Sequence, residues 1–253
     1  MDAWLQELPI LPIARVLAVA SAFPLLAGPG APKTVRLATA LVLALVLVPA
    51  PFGVATVGHP SPVATLALLP LELGIGLAIG FGFSLVFHLL GVAGDFLGQE
   101  MGLNASSQID PVTGRSVPLL ARLFEALGLI LFVELGGLEL LLRTVRESFV
   151  LVPPGALVAP ERLAATLAAD SIGVVTRGIA VALPGAILLL VLTSFTTIAA
   201  RVLPKLHIFD FAFAIRMFVA ILLVSLLLPR LVPAVGDAAI HLHERLTGAL
   251  TTR

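Results

Sequence analysis

The chain has 253 residues, of which 59% are hydrophobic and only 12% charged, with a mean hydropathy of +1.12. Soluble domains are nearer half apolar and a quarter charged, so this composition excludes a water-covered globular enzyme. Fifteen Lys+Arg balance fifteen Asp+Glu, which leaves no basic field for nucleic acid and no like-charged tail; the absence of cysteine excludes disulfides, cysteine–metal sites and thiol chemistry. The sequence reads as an all-α, multi-helix membrane-inserted protein.

A secretory leader has a positive start and a short apolar core, whereas this chain begins with Asp2 and Glu7 and its first cation is Arg15. The N-terminal segment is therefore expected to be retained. Segments long enough to cross a bilayer, about 20 residues each, fall at about 10–27, 37–57, 63–94, 118–142, 172–200 and 211–235. No Asp, Glu, Lys or Arg occurs from Leu37 to Leu71. The third and fifth segments exceed a simple span and are expected to tilt, bend or project. Pro24, Pro70 and Pro184 are expected to kink or break their segments.

Gly28-Pro29-Gly30-Ala31-Pro32 and His59-Pro60-Ser61-Pro62 supply breakers between the early segments. Longer polar stretches follow at Asp95–Val117 and Arg143–Ser171, and Ala159-Pro160-Glu161 has the form of a helix start. The tail, 236–253, reads as a short amphipathic surface helix, and the whole chain, 1–253, as one domain.

Eight charges fall inside or at the ends of the apolar segments: Arg15, Arg122, Arg177 and Arg216 against Glu72, Glu125, Glu134 and Glu139. Facing lipid they would cost about 20–28 kcal/mol together, at roughly 2.5–3.5 kcal/mol each. They are expected to point inward, at a partner or at water; Glu139 and Arg143 have the helical spacing that favours a pair. Alternating the segments puts Lys33, Arg36, Arg115, Arg201 and Lys205 on one side and Arg143, Arg146, Arg162, Arg230, Arg245 and Arg253 on the other. That near-even division casts no positive-inside vote. Gly76 and Gly80, with Gly94, Gly98 and Gly102, have the four-residue spacing that lets helix backbones approach closely. They are assigned to subunit packing.

No catalytic, cofactor or metal motif emerges. HExxH, GxSxG and Walker A are all missing, and His241 and His243, two apart, point to different faces of a helix whose ordinary reading is solvated. His88 is more simply an interior histidine than a proton relay. The loop from Gly98 to Arg115 is rich in small, hydroxyl and amide residues, and Asp110-Pro111 followed by Thr113-Gly114 is strong turn chemistry. Its make-up fits a pore-lining loop and an ordinary solvent loop equally.

That loop and its flanks resemble the FliR family of flagellar and virulence type III secretion export-gate proteins. The resemblance rests on Arg15, Pro24, Pro32, Arg36 and Pro49; on Gly98-Gln99, Met101-Gly102-Leu103 and Asp110-Pro111; and on Pro118-Leu119-Leu120-Ala121-Arg122. It continues through Leu131-Phe132, Glu147-Ser148-Phe149, Val152-Pro153, Gly155, Leu203-Pro204-Lys205-Leu206-His207-Ile208-Phe209 and Arg216. A family asparagine-glycine-histidine motif is replaced at Glu134-Leu135-Gly136-Gly137. A family turn after Phe209 reads Ala212-Phe213-Ala214, which makes a continuous helix the expectation there.

The resemblance implies a non-enzymatic export-gate subunit, without cofactor, built of long kinked helical hairpins. It would join FliP-like and FliQ-like partners in a helically wound hetero-oligomer in the inner membrane at the flagellar basal body, with an FlhB-like switch protein alongside. Unfolded exported proteins would be its substrates. It further implies that the loop at about 104–117 plugs the closed pore, with Met101 and Gly102 at its mouth, and Asn104, Ser106, Ser107, Ile109, Asp110, Pro111 and Gly114 forming it. Assembly of the gate above the bilayer plane would account for the absent positive-inside bias. The alternatives are the virulence counterpart of the same apparatus and, from another class, a secondary transporter with a midplane site at Glu72 or Arg177.

Overall fold

The computed structural model describes residues 10–23, 34–35, 38–39, 41–42, 62–101, 118–156, 160–202 and 208–251. Among them the architecture is all-α. Six helices carry it: α1 (Ile10–Ala22), α2 (Pro62–Glu100), α3 (Leu119–Glu134), α4 (Gly137–Leu151), α5 (Pro160–Val202) and α6 (Ile208–Leu250). Three stretches are long and apolar enough to cross a membrane: Val63–Glu100, Pro160–Ala199 and Ile221–Leu250. The fold class is thus that of an all-α membrane protein.

Proline placement explains where two long helices begin. Pro62 and Pro160 occupy the first positions of α2 and α5, where the missing N–H has no intrahelical partner in any case. Pro70 and Pro184 lie inside α2 and α5, and Pro229 and Pro233 inside α6, yet each helix runs through. Of the expected kinks or breaks, no break occurs at Pro70 or Pro184, and Pro24 lies outside the described residues. α6 also runs unbroken through Ala212-Phe213-Ala214.

The apolar stretch 118–142 is not one helix. α3 stops at Glu134, Leu135 and Gly136 form a turn, and α4 restarts at Gly137. Gly136 has φ 75°, a left-handed conformation that side-chain-bearing residues resist, and its N–H reaches Val133 O at 3.1 Å. Hydropathy averages over such a point because its neighbours are apolar. α5 opens at Pro160, the expected helix start, and runs without interruption into the apolar segment from 172; α6 continues through Gly236 to Leu250. The tail is therefore the last turns of a 43-residue helix. Its Leu242, Leu246 and Leu250 are buried at four-residue spacing.

The chain divides into two compact units, each assembled from separated stretches. The first comprises Met1–Leu85, Val133–Ser171 and Ala238–Arg253; the second comprises Val86–Phe132 and Ile172–Asp237. In the first, α1 buries Leu11, Val16, Val19 and Ala20, α2 contributes Ile75, Ile79 and Phe83, and α4 contributes Leu141, Val145 and Phe149. In the second, Leu89, Leu90 and Leu97 of α2 are buried, as are Phe124 and Phe132 of α3, Leu189 of α5, and Leu227 and Leu231 of α6. There the rings of Phe87 and Phe132 meet edge to face, with centroids 5.1 Å apart.

Candidate functional site

The first unit encloses a charged cluster. Arg15 on α1 is 0% exposed and Glu72 on α2 is 1% exposed. The Arg15 Nε donates to Glu72 Oε2 at 2.7 Å, and Nη1 donates to Ser148 O at 2.8 Å, Ser148 Oγ at 3.2 Å and Val152 O at 3.0 Å. The guanidinium lies 4.6 Å from the Phe149 ring centroid, a cation–π contact. Only Nη2 has no hydrogen-bond partner.

Glu72 does further work on the other side. Its Oε1 accepts the Gly155 N–H at 3.0 Å. That N–H belongs to a tight turn, Pro153–Ala156, in which Ala156 N–H donates to Pro153 O at 2.9 Å and Gly155 has φ 85°. Proline at the second position and a positive-φ glycine at the third are the marks of a type II turn. Arg15 and Glu72 thus clip together α1, α2, the end of α4 and the turn that leads toward α5. Burial of both charges is compensated by these hydrogen bonds, so the cluster resists loss of either member more than it adds net stability.

α1 reaches α2 through a glycine notch. A Cβ added at Gly76 would collide with the Arg15 carbonyl oxygen, and one at Gly80 would lie 2.5 Å from Val19 O. These glycines are filled from within the chain, not kept for a neighbouring subunit, because α1 must come this close for Arg15 to reach Glu72. Gly94 does the same for α3, with a Cβ site 2.7 Å from Leu120 O. Gly98 is buried.

The remaining charges behave differently. Arg122 and Arg177 are exposed, as are Glu134 and Glu139. Glu125 is half-buried against Gly91. The side chain of Arg216 lies outside the described residues. Arg143 donates to Glu147 at 2.8 Å, in place of the expected Glu139 pair, and this hydrogen bond raises the Arg143 pKa. His243 is engaged with α4, whereas His241 is exposed beside Glu244. Among the described residues no group of three His, Cys, Asp or Glu is placed to hold a metal ion.

Of the expected plug, Met101 is buried and its N–H donates to Leu97 O at 3.0 Å, so it is fixed to the end of α2. Gly102, Asn104, Ser106, Ser107, Ile109, Asp110, Pro111 and Gly114 lie outside the described residues. Sequence reasoning did not find Ser148, Val152 and Gly155 as partners of the ion pair. The signal was present in Glu147-Ser148-Phe149 and Val152-Pro153, which carry the resemblance without a role attached.

Outside these clusters, α5 and α6 present apolar faces. Only 28% of the most apolar window is buried in each, against 78% in α2. Ile187, Val191, Phe195 and Ile198 on α5, and Phe218, Leu222 and Leu226 on α6, are exposed. Large apolar side chains in this number mark surfaces meant for lipid or for other proteins.

Long apolar helices with an ion pair sealed inside define an all-α membrane protein. Comparison with known proteins narrows this. Residues 8–241 match the family described as bacterial export proteins, family 1, and the chain belongs to that family. The flagellar biosynthetic protein FliR of Escherichia coli K12 is 30% identical over 239 residues, 92% of this chain and 89% of that protein. FliR of Pectobacterium carotovorum is 30% identical over 169 residues, covering 66% and 64% of the two chains. FliR of Buchnera aphidicola is 23% identical over 149 residues, covering 59% and 58%.

Proposed function

We propose that this chain is a non-enzymatic subunit of the flagellar type III protein export gate, seated at the inner membrane in the basal body. It forms the channel for unfolded flagellar subunits together with FliP-like and FliQ-like partners, and works beside an FlhB-like switch protein. The observation that carries the reading is the near full-length similarity to a flagellar biosynthetic protein, 92% of this chain against 89% of the relative. The exposed apolar faces of α5 and α6 support it, since a partner-dependent subunit needs surface that its own fold leaves uncovered.

Co-expression with FliP-like and FliQ-like proteins, gentle extraction and native mass spectrometry test the proposal. A discrete hetero-oligomer containing this chain is the expected result. A stable particle of this chain alone, indifferent to those partners, overturns it in favour of a self-sufficient transporter. The segment Asn104–Val117 is assigned to the plug of the closed channel. Deleting Asn104–Gly114 is expected to leave the hetero-oligomer intact and to raise ion conductance across the membrane, read by a potential-sensitive dye. Unchanged conductance in an assembled complex would remove the plug role.

A further inference from the structure

A groove in the first unit runs close to the ion pair but takes no charge from it. It lies between the end of α1, one face of α2 and the first turns of α5, and encloses about 550 Å³. Every side chain that lines it is hydrocarbon. Its floor is low, because Gly74 has nothing within 4 Å of its Cβ site and Ala78 follows one turn later. Glu72, two residues before Gly74, is turned to Arg15 instead. The walls are set by contacts already described. The Gly80 notch brings Ala22 against α2, and the Glu72 bond to the Gly155 N–H ties down the turn that precedes Pro160.

The groove is open at its side, where Leu77 and Phe81 are 46% and 44% exposed. A hydrocarbon-lined space does not hold water stably, and left empty its lining forfeits dispersion contacts. α2 and α5 both supply stretches long enough to cross a membrane, so lipid tails are the medium that reaches it.

The order of polarity along α5 says which occupant fits. Pro160, Leu163, Ala164 and Leu167 line the groove on successive turns, a run of roughly 10 Å at 1.5 Å per residue. Glu161 and Arg162, both exposed, stand in the first of these turns, where the membrane-length stretch begins. An acid and a cation at one end, then hydrocarbon, is the layout of an amphiphile. A uniformly apolar partner helix would leave the charged end unmatched.

We infer that the groove is a phospholipid site. One acyl chain lies over Gly74 and Ala78, and a zwitterionic headgroup meets the start of α5, its phosphate at Arg162 and its ammonium at Glu161. The inference rests on the membrane class of the fold and not on the export-gate reading.

The full chain, purified with its partners and stripped of lipid by detergent, would be incubated with dioleoylphosphatidylethanolamine and weighed by native mass spectrometry. The lipid mass is read on whatever particle contains this chain, so failure of the partners to assemble leaves the result readable. One lipid per chain is expected to survive activation that removes loosely attached lipid. Gly74→Leu fills the floor, and displacing even two methylenes should lower retention about tenfold. Gly173→Leu, the same change at another open glycine of α5, should leave it unaltered. Arg162→Gln should lower it about fivefold. If Gly74→Leu fails to fold, Ala164→Leu fills the groove from an exposed position and decides alone. A wild-type chain that retains no lipid, or a folded groove-filling variant that retains it undiminished, overturns the site. Undiminished retention by Arg162→Gln overturns the headgroup placement. A benzophenone amino acid in place of Leu167 should cross-link to the lipid on illumination; cross-linking to another polypeptide would give the groove to a protein and overturn the inference.

Discussion

The two compact units are held by different chemistry. The first is centred on a sealed ion pair with directional hydrogen bonds and a glycine notch that lets two backbones nearly touch. The second is packed by leucine and phenylalanine, and of the charges singled out in its sequence Arg122 and Arg177 are exposed. A directional cluster tolerates few substitutions and specifies one arrangement. An apolar one tolerates many and leaves its outer faces free to be covered by something else. The contrast sets a directional, sealed cluster in the first unit against an apolar interior in the second.

The largest expected effect comes from splitting the ion pair. Arg15→Ala or Glu72→Ala leaves a buried charge uncompensated and should cost about 3–5 kcal/mol, seen as a large drop in thermal stability of the purified protein. Replacing both together, Arg15→Met with Glu72→Leu, should cost clearly less than either single change, because no bare charge remains. Equal losses in all three would mean that the cluster matters for packing alone.

Next in size is the notch. Gly76→Leu and Gly80→Leu drive side chains into the α1 backbone and should each cost about 1–3 kcal/mol. Gly74→Ala, on the same helix but with nothing within 4 Å of its Cβ site, should be neutral or gain up to about 1 kcal/mol of helix stability. Gly155→Ala forces a Cβ into a left-handed turn and should cost about 1–2 kcal/mol in the same assay. The smallest effect on the isolated chain belongs to the second unit. Phe218→Ser and Leu226→Ser should shift its thermal stability within about 0.5 kcal/mol, yet reduce recovery of the hetero-oligomer in native mass spectrometry. Normal assembly by both variants would break the assignment of that face to partners.

Much of this was legible in the residues. Composition gave the membrane class, Pro160 gave the start of α5, and Ala212-Phe213-Ala214 pointed to the unbroken helix that α6 contains. Arg15 and Glu72 stood out because charge in an apolar segment is too costly to face lipid. Their partners were not legible, since Ser148 lies 133 residues from Arg15 and supplies a carbonyl that any residue has. The break at Gly136 was hidden because glycine barely lowers an apolar average. Gly236 hid the opposite way, as a glycine that breaks nothing. His243 looked solvated because a histidine next to Glu244 and Arg245 carries no sign of which helix lies across from it. The glycine spacing announced close approach correctly in kind, but spacing cannot tell a helix of the same chain from one of another.

The position of Arg15 also sets an order of events during synthesis. Its acceptors arrive late: Glu72 follows 57 residues behind it and Val152 follows 137 behind. At about 5–20 residues per second, the last of them emerges roughly 7–27 s after Arg15 has left the ribosome. Until Glu72 follows, α1 carries a bare cation that lipid will not accept, and until Val152 follows its hydrogen bonds remain incomplete. α1 is therefore made long before its site is complete, and it must wait in water, at the headgroups or on a helper until α4 and its turn exist.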